Sequence, residues 1–474
     1  MYKLFYKPDD AFAADFIPFW KDGKFRLFYL KDWRNSEKFG EGVPWYQITT
    51  SDFCSFDELG EMIPRGRKNE QDYWIFTGSI IEREGQYHIF YTGHNSYFIS
   101  EGKPQEGIMH AVSDNLKDWV KRPEDTFFAD FTKYEMHDFR DPFVYFDEET
   151  NRYHMLLVSR LKDSGYTSGF TAVYSSDNLK TWRDDGPFWS PGLYHTHECP
   201  DFFRIGDWWY LIYSEYSDRN VTRYVMTKTP GKDWIIPPDD TFDGRAYYAA
   251  KSYSDGEKRY LFGWVATKQN SNDDLGWQWG GNLEVHEIFQ RTDGSLGCRM
   301  PDSINQAWQI VGKADSVSLS NHGGKCENLA FTVSEKTYRI DATFSFTEGT
   351  RQFGIQFAQD FTSRSGYKYE FFPFERSVRF NSITSSIQSK DVCRTIELDS
   401  RKPVDISLVV DGDICVLYIN NDIALTSRIY NIRGNDISFF TTGGSIQVRN
   451  IMLSTLPSIS DRMISETRNC TTIS

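Results

Sequence analysis

GDWWYLIYSEY (206–216) is a turn followed by a run in which aromatic and aliphatic residues crowd together, the pattern of a half-buried or fully buried strand. The pattern recurs in DGKFRLFYL (22–30), EGQYHIFYTG (84–93), NRYHMLLVSR (151–160) and EKRYLFGWVA (257–266). The five copies follow one another at intervals of fifty to sixty-odd residues. A second pattern follows some of them: AVSDNLKDWV (111–120) and VYSSDNLKTWR (173–183), with a weaker echo in MTKTPGKDWI (226–235). Its SDNLK turn and Trp read as a hairpin with an aromatic peg. Repeats of this length, with several strands per unit, predict an all-β chain that begins with a five-bladed β-propeller over residues 1–305. An irregular β-sandwich is the competing architecture, but it requires no matched units.

The texture changes after MPDSINQAW (300–308). Residues 306–324 read as a linker. From 325 to 457, short alternating segments such as YRIDATFSF and IQVRNIMLSTL predict a lectin-like β-sandwich. Residues 458–474 form a polar tail.

Composition narrows the function. Aromatic residues make up 16% of the 474 positions, with 14 Trp and 27 Tyr, which suits both β-rich cores and sugar stacking. The net charge of −14 opposes nucleic acid and anionic membranes as partners, since both require basic patches. The expected partner is a small carbohydrate substrate, and a homo-oligomer is left open. No apolar run is long enough to span a bilayer, and the start lacks the pattern of a signal peptide. The seven scattered cysteines form no CxxC pair, which favours reduced thiols. A cytoplasmic location is expected.

In a propeller, the first strand of each blade lines the central channel, so acids on different blades converge there. Asp15 opens DFIPFW, Asp141 lies in HDFRDPFVYF and Glu198 lies in YHTHECPDFF (194–203). Converging carboxylates repel one another, so stability alone does not favour them. Glycoside hydrolysis requires such a pair.

Arg140-Asp141-Pro142 and Glu198-Cys199-Pro200 resemble the RDP and ECP motifs of glycoside hydrolase family 32, the β-fructofuranosidases. IFTGSI (75–80) with YTGH (91–94), DGRAYYAAKSY (243–253) with LFGWV (261–265), and WGGNLEVHEI (279–288) resemble further family segments in the same order. VVDGDICVLYINNDIALTSRIY (409–430) resembles strands of the family's C-terminal sandwich. One motif departs: where the family has WMNDPNG, this chain has FAADFIPFW (12–20), without the Asn before the acid or the Pro-Asn-Gly after it.

The resemblance implies a retaining, exo-acting β-fructofuranosidase on short fructosides such as sucrose or inulobiose. Asp15 would be the nucleophile, Glu198 the acid/base and Asp141 the transition-state stabiliser. Arg140 would balance their charge. Phe76, Trp20 and Trp279 would wall the sugar pocket, Thr77 and Ser79 would bond hydroxyls, and His137 and His197 would read the rest of the substrate. No cofactor is implied. The His-Thr-His spacing gives no complete ligand set, so no metal is expected. The competing functions are a related furanosidase, such as one cleaving arabinofuranosides, and a non-catalytic fructan-binding protein.

Overall fold

The five sequence repeats are the same element five times, the second strand of a blade: Lys24–Asp32, Gln86–His94, Arg152–Arg160, Trp208–Glu215 and Arg259–Lys268. Each pairs antiparallel with a preceding inner strand: Phe12–Lys21, Trp74–Arg83, Arg140–Asp147, Glu198–Ile205 and Tyr247–Ser254. The inner strands touch one another in a closed ring. The computed structural model describes residues 2–383, 390–432 and 434–457, so the tail expected at 458–474 lies outside the described residues. The ring closes where Ala13 of the first blade pairs with Gly281 of the last, which joins those two blades into one continuous eight-stranded sheet.

The SDNLK turns explain themselves locally. The Asn115 side-chain oxygen accepts the N–H groups of Lys117 and Asp118, and Asn178 does the same for Lys180 and Thr181. This closes an Asx turn. The following tryptophans then plug the gap between blades, with Trp182 meeting Phe90 edge-on at 5.4 Å.

One device positions the site. Every inner strand breaks register with its partner near its start, across Ala14/Ile17, Ile75/Gly78, Arg140/Phe143, Glu198/Asp201 and Tyr248/Lys251. At four of these bulges a non-glycine residue has positive φ: Asp15 at 46°, Asp141 at 60°, Cys199 at 52° and Ala249 at 52°. A bulge bends the strand and re-aims its side chains, and a left-handed non-glycine residue stores strain that the surrounding sheet must offset.

The C-terminal domain is one eleven-stranded assembly built on the long strand Asp436–Thr455. The stretch read as a linker, 306–324, is mostly strand: Gln309–Ala314 and Val317–Thr332 both pair with Asp436–Thr455. The first of these lies largely exposed, so it carries none of the alternation by which a half-buried strand shows itself in sequence. The two domains are fastened by buried arginines. Arg428 donates to the carbonyls of Val265 (2.8 Å) and Ala266 (3.0 Å) and to Asn282 Oδ1 (2.7 Å), and Arg394 pairs with Asp239 at 2.8 Å.

Candidate active site

The bulges bring Asp15, Asp141 and Glu198 to one cavity of about 550 Å³. Arg140, Phe76 and Trp279 line it too, as does Cys199. Asp15 and Asp141 are themselves the left-handed bulge residues, whereas in the fourth blade that place belongs to Cys199. Glu198 therefore enters one residue earlier on its strand than its two counterparts.

The three acids have different surroundings. Asp15 is buried, and its Oδ1 accepts a hydrogen bond from Trp264 Nε1 at 2.9 Å. Burial and then the neighbouring Asp141 push its carboxyl up to about 8. The Trp264 bond works against this rise but does not outweigh burial. Asp141 Oδ2 accepts the Cys199 N–H at 2.9 Å, while the Asp141 N–H donates to Thr92 Oγ1 at 2.8 Å. Burial raises its carboxyl to about 6 against the opposing pull of Arg140. Glu198 is held at both oxygens: Arg140 Nη2 lies 2.8 Å from Oε1 and the Tyr248 hydroxyl donates to Oε2 at 2.7 Å.

Arg140 also meets Asp138 at 2.5 Å and Glu106 at 3.4 Å. Glu106 accepts the Phe139 N–H at 2.7 Å and pairs with His94 at 3.4 Å. Burial works against its charge, but Arg140 and His94 outweigh it and hold Glu106 at about 2. Burial drives the Cys199 thiol far above its ordinary range, so it stays a protonated packing group.

Several expected site residues lie elsewhere. Trp20 sits five residues along the strand from Asp15, roughly 16 Å at the usual rise, and packs on Phe25 at 4.7 Å. Thr77 is fully buried, and among the described residues its hydroxyl has no hydrogen-bond partner. Ser79 Oγ accepts the Val144 N–H at 2.9 Å, tying the second blade to the third. Phe76 faces the cavity, whereas Thr77 and Ser79, at odd offsets from it, do not line it. His197 is buried against Trp189 and Tyr213, and its Nδ1 contacts Thr171. His137 is exposed on the preceding loop and does not line the cavity.

Sequence reasoning missed Trp74, Glu106, Tyr248, Asp32 and Glu41 in the lining. Tyr248 lay within DGRAYYAAKSY, a segment already singled out. Glu106 opens the third strand of its blade, Glu106–Ser113, so the inner-strand logic could not reach it.

One cluster could offer ligands to a metal. The ligating atoms of Asp243, Glu284 and His286 lie within 4.8 Å of one another at the seam between the domains. These groups already bond one another. His286 Nε2 lies 3.2 Å from Asp243, and the Thr426 hydroxyl lies 2.6 Å from Asp243 and 2.9 Å from Glu284. Burial, followed by the adjacent Asp243, drives the Glu284 carboxyl well above its usual range. The cluster thus works as a buried polar clasp across the seam.

A propeller whose inner strands deliver three carboxylates into one cavity, walled by aromatic rings, defines a glycoside hydrolase. Residues 7–293 match the glycosyl hydrolases family 32 N-terminal domain and residues 303–455 match the family 32 C-terminal domain. The chain belongs to glycosyl hydrolase family 32. It is 24% identical to a sucrose-6-phosphate hydrolase of Vibrio alginolyticus over 65% of this chain and 69% of that protein. It is 22% identical to a levanbiose-producing levanase of Bacillus subtilis over 93% of this chain and 88% of that protein. Among solved structures, a sucrose-6-phosphate hydrolase from Lactobacillus gasseri superposes with a TM-score of 0.75 at 18% identity, covering 95% of this chain and 91% of that one. A fructan 1-exohydrolase IIa variant from Cichorium intybus, in complex with 1-kestose, gives a TM-score of 0.75 at 16% identity over 95% and 96% of the two chains. The relatives support a fructoside-cleaving activity in general.

Proposed function

We propose that this protein is a retaining, exo-acting β-fructofuranosidase on short fructosides. The observation that carries the reading is the unequal support of the acids: Glu198 is gripped by Arg140 and Tyr248, while Asp15 lies buried with Trp264 as its donor. A group that gives and takes a proton must hold one orientation through both steps, and a nucleophile must keep a free oxygen.

In the first step an oxygen of ionised Asp15 bonds to the anomeric carbon as the glycosidic bond breaks, and Glu198 gives its proton to the departing oxygen. In the second, Glu198 takes a proton from water. The water oxygen bonds to the anomeric carbon and releases Asp15. Two inversions give net retention. Asp141, fixed by two backbone bonds, faces the developing positive charge and the sugar hydroxyls. Asp15 is raised first by burial and then by Asp141, and the negative charge of the neighbouring carboxylates favours the cationic transition state once the sugar is bound.

Ala14 stands where the family pattern has Asn, so the sugar is held through other contacts, with Trp74, Phe76 and Trp279 as the ring-facing walls. The six cysteines among the described residues are free thiols, which supports a reducing compartment such as the cytoplasm. The test is fructose release from sucrose, inulobiose, 1-kestose, levanbiose and inulin by the wild type and by Asp15→Asn. Release from the short substrates, lost in the variant, supports the reading. A fully active variant contradicts it.

A further inference from the structure

Relatives of this chain include hydrolases named for a phosphorylated sugar and others named for neutral fructans. The two substrate classes make opposite electrostatic demands. A phosphate monoester carries between −1.5 and −2 charges near neutrality and needs arginine or lysine donors free to meet it. A neutral sugar needs acceptors for its hydroxyls and flat apolar faces for its rings.

The cavity lining holds six carboxylates: Asp15, Asp32, Glu41, Glu106, Asp141 and Glu198. Among the described residues, Arg140 is the one lysine or arginine in that lining. It is already committed to Glu198, Asp138 and Glu106, the last at 3.4 Å. Beside the cavity lies a smaller polar recess that shares Asp32 and Glu41 with it and contains Arg34. This guanidinium is spent as well. Its Nε faces Asp32 at 3.6 Å, Nη1 donates to Gln278, and Nη2 donates to Thr267 and to the carbonyls of Trp279 and Gly280. Arg34 also lies over the Phe12 ring, which fixes its plane. Lys251, another cation near the acids, points its ammonium at the Pro200 carbonyl at 2.8 Å. Arg245 sits outside the lining, over Trp277.

We infer that the site selects uncharged fructosides and rejects phosphorylated ones, with Asp32 and Glu41 as the outer discriminating charges. The inference rests on the fructosidase reading above. Rejection arises because a phosphate entering the cavity meets carboxylates, with no uncommitted cation among the described residues of the lining to replace its water. Asp32 and Glu41 are suited to the role because they line both the cavity and the recess. Conservative amides can replace both. Asp32 Oδ1 accepts the Arg34 N–H at 2.9 Å and Glu41 Oε2 accepts the Tyr97 hydroxyl at 2.6 Å, and an amide oxygen accepts equally.

The experiment compares kcat/KM for sucrose and sucrose 6-phosphate in the wild type and in the Asp32→Asn/Glu41→Gln double variant, at low and high salt. The expected wild-type efficiency is lower for the phosphorylated sugar by roughly 100-fold. The ratio of phosphorylated to neutral efficiency is expected to rise about tenfold in the double variant, and the gap to narrow with salt. Equal or better cleavage of the phosphorylated sugar by the wild type overturns the inference and leaves the fructosidase reading standing. So does a double variant with an unchanged ratio. Fructose release from neither sugar nor from any short fructoside overturns the underlying reading and the inference with it.

Discussion

Arg140 Nη2 lies 2.8 Å from Glu198 Oε1, joining adjacent blades through the residue that immediately precedes Asp141 in the chain. One guanidinium thereby orients Glu198 and counters the charge of Asp141, since both acids enter from neighbouring bulged strands. It is buried among carboxylates that have lost most of their water, so its geometry matters as much as its charge. Arg140→Lys keeps the charge and loses the planar fork. The expected cost is on the order of 2 kcal/mol in unfolding free energy, together with a large fall in kcat. Denaturant unfolding checks the first and steady-state kinetics the second.

Asp15 gives a stability prediction with a definite sign. Its carboxyl is raised from 3.8 to about 8 in the folded state, so the native protein holds a proton there that the unfolded chain releases. The associated stability is fully present below the unfolded value and is lost as pH rises through about 8. Asp15→Asn removes this dependence. The variant should melt higher than the wild type by roughly 2–4 °C at pH 8, with the difference fading toward pH 4. Scanning calorimetry at several pH values is the check, and a variant less stable at pH 8 would run against the assignment.

Glu198→Gln keeps one acceptor oxygen, for Arg140 or for Tyr248, turns the other position into an N–H donor, and has no proton to give. Its kcat on sucrose should fall by about 10³-fold or more. An aryl fructoside, whose leaving group departs without protonation, should lose far less in the first step. Pre-steady-state release of the aryl alcohol measures this. Equal losses on both substrates would argue against a proton-donating role.

Trp279 is 41% exposed and lines the cavity, so its face is free to meet a sugar ring. Trp279→Ala should raise KM by about tenfold with little effect on melting temperature, because the ring is not part of a closed core. A fall in stability without a change in KM would place it in the core instead.

Much of this architecture was legible in the sequence because the second strand of each blade is buried on both faces. Runs such as Trp208–Glu215 have no polar side to dilute the signal. Asp15, Asp141 and Glu198 were legible because they precede those runs at comparable distances. What the sequence hid was geometry. It placed Trp20 near Asp15 by number, whereas an extended strand carries it to the far end. It placed His197 next to Glu198, whereas the side chain turns into the aromatic core with Trp189 and Tyr213. The bulges that give Asp15, Asp141, Cys199 and Ala249 positive φ leave no compositional mark, since none of the four is glycine. Glu106 reaches the cavity from a third strand and was invisible to a reading built on inner strands. Gln309–Ala314 reads as linker because it is largely exposed.

The central claim is that Asp15 forms a covalent bond to the sugar while Glu198 manages the proton. The most direct test is mass spectrometry of Glu198→Gln after brief exposure to an aryl fructoside, which enters the first step easily and stalls in the second. The account predicts one added fructosyl unit, mapping to the peptide that contains Asp15 and absent from the Asp15→Asn/Glu198→Gln double variant. A fructosyl unit on another carboxylate, or turnover by Asp15→Asn without any adduct, would contradict it.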